Sequence, residues 1–345
     1  MTSTQGVVVT TDLGSSISMS PGTPSQPTIG ILAQDQGVGG SGGIQGVTVT
    51  VGGTIAGANI GVEAAITNGG ATTNPNNVTV QVNNSIDAIT TGVIATTAGT
   101  GNVYVGSSSA GVIGLNTQPN QFGVNASITN AGSFGNVTVN LAGAVTAATG
   151  ISAVNVGSGN VSVTASGGIT AIAGNAVFAT SVSGNITVDT TGNGVSATDT
   201  VIYASSSAGG NVTVKTDAVT TTSAASGIIA SSSSGSVTVQ TNGAVSGAPG
   251  SFTGIDANSG GGTGAVSVTR EWSGDRFRYG YPRRKHEYDR RRFGDRQSGH
   301  HRACRQCGFG PERLWQYYGG YYRWHRDGHR RSRDQRNQRL REHPG

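Results

Sequence analysis

With 345 residues, 57 of them glycine, and few large apolar side chains, the chain cannot build the compact cores of two ordinary domains; it must bury many small residues in a regular way. The overall charge of +5 hides a split: up to Thr269 one basic residue, Lys215, faces eight acidic ones, a net −7, whereas from Arg270 onward 21 basic and nine acidic residues give +12. Every Trp, His and Cys lies in that second part, which leaves the first free of cysteine, as suits an exported protein or a low-complexity repeat.

Met1 to Thr11 shows no basic n-region followed by an apolar core, and no run of about 18 apolar residues occurs anywhere. As written, the sequence therefore predicts neither an export signal nor a membrane-spanning segment. Residues 1–43 mix Thr, Ser, Gly and Pro around one apolar run, Gly6-Val7-Val8-Val9, and read as an irregular leader with at most one strand. Period-two strands then begin at Val47-Thr48-Val49-Thr50-Val51 and Val78-Thr79-Val80-Gln81-Val82, with a shorter relative at Val103-Tyr104-Val105.

From Gly135 one phrase returns: Gly-Asn-Val-Thr-Val at Gly135, then variants at Gly159, Gly184, Gly210, Gly235 and Gly264, spaced 24, 25, 26, 25 and 29 residues apart. Such a period signals stacked coils. One coil contains Asn136-Val137-Thr138-Val139, then Gly143-Ala144-Val145-Thr146-Ala147, then Gly150-Ile151-Ser152-Ala153, so about three short strands fill a coil, each too brief to stand alone. Alternation points Val137 and Val139 inward and Thr138 outward, and equivalent valines should stack about 4.8 Å apart into aliphatic ladders. Glycine is expected at the corners for positive φ, and asparagine for stacking its amides. About nine coils are expected over residues 44–269.

A helical reading fails because β-branched residues and glycine disfavour helix throughout. A globular β-sandwich would explain the alternation but not the recurring words. The predicted fold class is thus an all-β solenoid.

The Gly-Asn-Val-Thr-Val and Gly-Ile-x-Ala strands, set in cysteine-free Thr, Ser, Gly and Asn filler, resemble the passenger region of bacterial autotransporters and are similar to filamentous-haemagglutinin-type surface adhesins. The resemblance covers residues 44–269. It implies a right-handed parallel β-helix, export across two membranes, and display or release at the cell surface. A signal peptide and a membrane barrel would belong to such a protein, and their absence here points to a fragment or a partial reading frame.

Residues 270–345 form a basic tail, expected to be disordered. Its Arg runs with Tyr and Trp, such as Tyr281-Pro282-Arg283-Arg284-Lys285, have the look of an RNA-binding segment, and His300-His301 with Cys304-x-x-Cys307 offers four zinc-ligand types. The lone Cys-x-x-Cys has no second half at finger spacing, so no metal site is assigned. A shift of frame explains the composition better. Read from the second base of each codon, every Trp becomes Gly. Arg292-Phe293-Gly294-Asp295-Arg296-Gln297 then permits Gly-Ser-Val-Thr-Val, Trp315-Gln316-Tyr317-Tyr318-Gly319-Gly320 permits Gly-Asn-Ile-Thr-Val, and Tyr279 to Arg284 permits Thr-Gly-Ile-Arg-Ala. The tail therefore reads as further repeats translated out of frame from near Thr269.

Function follows from what the repeat can present. The leading expectation is a non-enzymatic structural or adhesive rod whose outward Thr, Ser and Asn meet host, abiotic or neighbouring-cell surfaces, at the cell surface or outside the cell. A nucleic-acid-binding protein, resting wholly on the tail, is the alternative, and a glycan-active β-helix enzyme is a further one. Catalysis needs convergent carboxylates; the densest group is Asp189, Asp199 and Asp217, in a stretch without His or Arg. No catalytic, cofactor-binding or metal-binding residue is assigned and no cofactor is expected. The outward row Thr138, Ser162, Thr187, Thr213, Thr238, Ser267 is too mixed for an ice lattice, and the calcium-roll nonapeptide is absent. The sequons at Asn136, Asn160, Asn185 and Asn211 follow from the repeat's own wording. Uncapped end coils should self-associate.

Overall fold

The computed structural model describes residues 6–270 apart from 21–26, 38–45, 69–73, 224, 248–252 and 262–263. The leader's Met1 to Gln5 and the basic tail beyond Arg270 lie outside the described residues. Every regular element described is a β-strand. Neighbouring strands in each sheet are separated by a full lap of chain and run parallel, as a coil stacked on itself requires. The fold is a parallel β-solenoid.

Each lap is built around three faces, with a strand on the first and third and, on the second, a strand or, at Ile113, a single bridge. The first face is a ten-stranded sheet from Val7–Thr11 to Val266–Arg270, and the third a nine-stranded sheet from Ile29–Asp35 to Ile255–Ser259. The second face has a three-stranded part beginning at Ser16–Ser18 and a five-stranded part beginning at Val145–Ala147. Single bridges from Ile113 to Ile86 and to Val145 join the two parts. Eight complete laps run from Gly46 to Ser259 and Val266–Arg270 opens another. The leader adds a lap of its own: Val7–Thr11, Ser16–Ser18 and Ile29–Asp35 pair in register with Gly46–Val51, Thr54–Ala56 and Ile60–Ile66, where at most one strand was expected. Its periodicity is diluted by Pro21 to Pro27, which hides the lap from a search by spacing.

The interior consists of columns, one residue per lap. On the first face Val137, Val161, Ile186, Val212 and Val237 stack in register, as do Val139, Val163, Val188, Val214 and Val239, all essentially buried. On the third face one inward column is made of a smaller residue. Alanine occupies one inward position in every lap, from Ala33 through Ala64, Ala95, Ala126, Ala153, Ala179, Ala204 and Ala230 to Ala257. No single lap could keep these side chains from water, so their burial couples the laps.

The anchor glycines serve a different purpose from the one expected. Positive φ occurs at Gly14, Gly46, Gly57, Gly114, Gly168, Gly192, Gly209 and Gly261, and at none of the phrase-opening glycines. What excludes a side chain there is the lap beneath: a Cβ on Gly159, Gly184 or Gly210 would overlap the carbonyl oxygen of Gly135, Gly159 or Gly184. Close backbone approach, not left-handed geometry, selects glycine at these corners.

Candidate functional surfaces

Two hydrogen-bonded ladders fix the corner between the third face of one lap and the first face of the next. Outside it runs an asparagine ladder: Asn77, Asn102, Asn136, Asn160, Asn185 and Asn211 each use Oδ1 to accept the main-chain N–H one lap on, at 2.7–2.9 Å. Asparagine therefore stacks as expected, with the amide serving a backbone donor. The four sequon asparagines belong to this ladder.

Inside the same corner sits a second ladder. Ser206 Oγ donates to the Gly184 carbonyl at 3.2 Å and accepts the Gly210 N–H at 2.9 Å, and Ser181 and Ser232 repeat the pattern. Asn155 does it with an amide, Nδ2 donating to Gly135 and Oδ1 accepting the Gly157 N–H. These buried groups satisfy main-chain polar atoms that the turn leaves without partners. The signal was present as a Ser three or four residues before Gly184, Gly210 and Gly235.

The outward positions of the first face carry Thr48, Thr79, Tyr104, Thr138, Ser162, Thr187, Thr213 and Thr238 in one row, so hydroxyls recur at lap spacing with one aromatic interruption. On the third face the outward row includes Phe178 and Tyr203, whose rings stack at 5.1 Å with planes 10° apart, followed by Ile229. Sequence reading missed this pair, because its members lie a lap apart and only register brings them together. Stacked on each other, the rings present edges outward rather than a face to a ligand.

The carboxylates are engaged in turns. Asp189 Oδ1 accepts from the Thr191 N–H and hydroxyl, Asp217 from the Gly192 N–H and Asn242 Nδ2, and Asp199 from the Thr200 N–H. Asp87, 5% exposed, holds the 115–121 loop by accepting from Asn116 N–H and Nδ2 at 2.7 and 2.9 Å. Among the described residues no three His, Cys, Asp or Glu side chains converge. A depression of about 440 Å³ is lined by Pro27, Asn59, Ile60, Ile89, Thr90, Asn120 and Gln121. Asn59 Oδ1 in it accepts from Thr28 N–H and Oγ1.

His300, His301, Cys304 and Cys307 lie outside the described residues. No helix among the described residues is long and apolar enough to cross a membrane. No family model, curated protein or solved structure matches this chain.

Proposed function

We propose that the chain is a stretch of an exported bacterial surface protein acting as a non-enzymatic structural or adhesive rod. The observation that carries this reading is the division of labour within each lap. Most inward positions hold small aliphatic residues, corners hold ladders that bind lap to lap, and the outward row of the first face offers hydroxyls over and over. Such a surface suits many weak contacts in parallel, whose combined strength grows with the number of laps engaged. The carboxylates support the same reading, since Asp189, Asp199 and Asp217 are bound to turn donors rather than facing a shared cleft.

The experiment is protease shaving of intact cells that express the gene, with adhesion measured alongside. The reading expects an antibody against residues 135–240 to lose its signal after shaving, and a deletion strain to adhere less to surfaces or to neighbouring cells. A chain found only inside protease-protected cells, or a purified chain that hydrolyses a polysaccharide, would overturn it.

A further inference from the structure

The solenoid's last described strand carries an irregularity at a single position. Val266 and Val268 sit on the inward columns above Val237 and Val239, and the next inward position, above Thr241, is Arg270. That column holds Leu141, Ala165, Thr190, Thr216 and Thr241 in the preceding laps. An arginine there breaks the rule every earlier lap obeys. The inward valines are also uncovered, Val266 at 48% and Val268 at 50% exposure, where their equivalents below are buried.

The register permits a residue-by-residue comparison with the previous lap, Thr241-Asn242-Gly243-Ala244-Val245-Ser246. The strand pairing ends with Arg270 opposite Thr241, and counting on along the sequence alone sets Glu271-Trp272-Ser273-Gly274-Asp275 against Asn242-Gly243-Ala244-Val245-Ser246. Read one base later, the Glu271 codon followed by the T of Trp272 can encode only Asn or Ser, matching Asn242. The Trp272 codon can encode only Gly, matching Gly243, where a Cβ would press on Ala218 and Asp217 of the lap below. The Gly274 codon permits Val, matching Val245. The Asp275 codon can encode only Thr or Ile, and the equivalent outward positions are Thr146, Thr170, Ser196, Thr220 and Ser246. No gap is needed. Asn242 Oδ1, in the last lap below, is buried and without a partner among the described residues.

We propose that the open end at Val266–Arg270 is the docking surface for one further lap of the same solenoid, encoded by these nucleotides read one base later, with the break in frame between the codons for Val268 and Trp272. The occupant is fixed by complementarity of register, and the inference does not rest on the adhesive reading.

The test compares the full 345-residue chain with the product of the same gene lacking the first base of codon 270. In the restored chain the amides of Val266 and Val268, whose equivalents such as Val237 donate to the following lap, should exchange with solvent at least tenfold more slowly, because they gain hydrogen-bond acceptors. The DNA should also read through to codon 320 in that frame. A stop codon before that point, or exchange at Val266 and Val268 that is unchanged or faster, overturns the proposal.

Discussion

Asn185 lies directly above Asn160 at one corner of the solenoid, and its main-chain N–H donates to Asn160 Oδ1 at 2.9 Å. The donor is held by the backbone of one lap and the acceptor by the side chain of the lap below, so the bond reports lap-to-lap register. Asn160→Ala removes the acceptor at an exposed site, where water partly replaces it, and should cost about 0.5–1 kcal/mol. Asn160→Asp retains an acceptor and should cost less. Urea unfolding midpoints check this; identical losses for the two variants would mean that the ladder contributes nothing to stability.

The anchor glycines give a sharper contrast. Gly184→Ala places a methyl group against the Gly159 carbonyl in a stack that cannot widen at one corner alone, and should cost about 1–3 kcal/mol. Gly132→Ala meets only Asn130 Oδ1, at 3.4 Å, and should lie within about 0.5 kcal/mol of the parent. Thermal unfolding of the two variants decides whether lap contact, rather than the residue type, sets the requirement.

The solenoid was legible in the sequence because Val137, Val139 and their equivalents return at an almost constant period, which forces both the inward column and the parallel pairing. The leader lap was not, because residues 21–27 break the period before Ile29 and the lap carries no Gly-Asn phrase. The purpose of the anchor glycines was also hidden: a glycine demanded by a neighbour's carbonyl looks the same in sequence as one demanded by φ. Likewise, the Phe178–Tyr203 stack depends on residues a lap apart sharing an outward row, which composition cannot show.

Inside the corner, Ser206 both donates and accepts. Ser206→Ala leaves the buried Gly210 N–H without its partner and should cost about 1–3 kcal/mol, more than the exposed asparagine variant. Ser206→Thr keeps the hydroxyl, and Thr97 already accepts the Gly99 N–H in this way at 3.0 Å, so the Thr variant should recover most of the loss. Amide exchange at Gly210 distinguishes a lost hydrogen bond from general loosening: it should quicken in the Ala variant ahead of its neighbours.

The third inward column of the first face changes character along the chain, from Leu141 and Ala165 to Thr190, Thr216 and Thr241. Thr190 Oγ1 donates to Thr216 Oγ1 at 2.8 Å, whereas Thr241 Oγ1 is buried without a partner among the described residues. Valine has nearly the shape of threonine and no hydroxyl to satisfy. Thr241→Val should therefore stabilise the chain by about 1 kcal/mol, since it removes an unsatisfied polar group. Thr190→Val should instead destabilise, because it strands the Thr216 hydroxyl at a cost of about 1–3 kcal/mol. The double variant Thr190→Val with Thr216→Val removes both partners and should return to within about 1 kcal/mol of the parent, giving a coupling energy of about 1 kcal/mol or more in a double-mutant cycle. Urea denaturation of the four chains measures that coupling, and strictly additive effects would show that the two hydroxyls do not depend on each other.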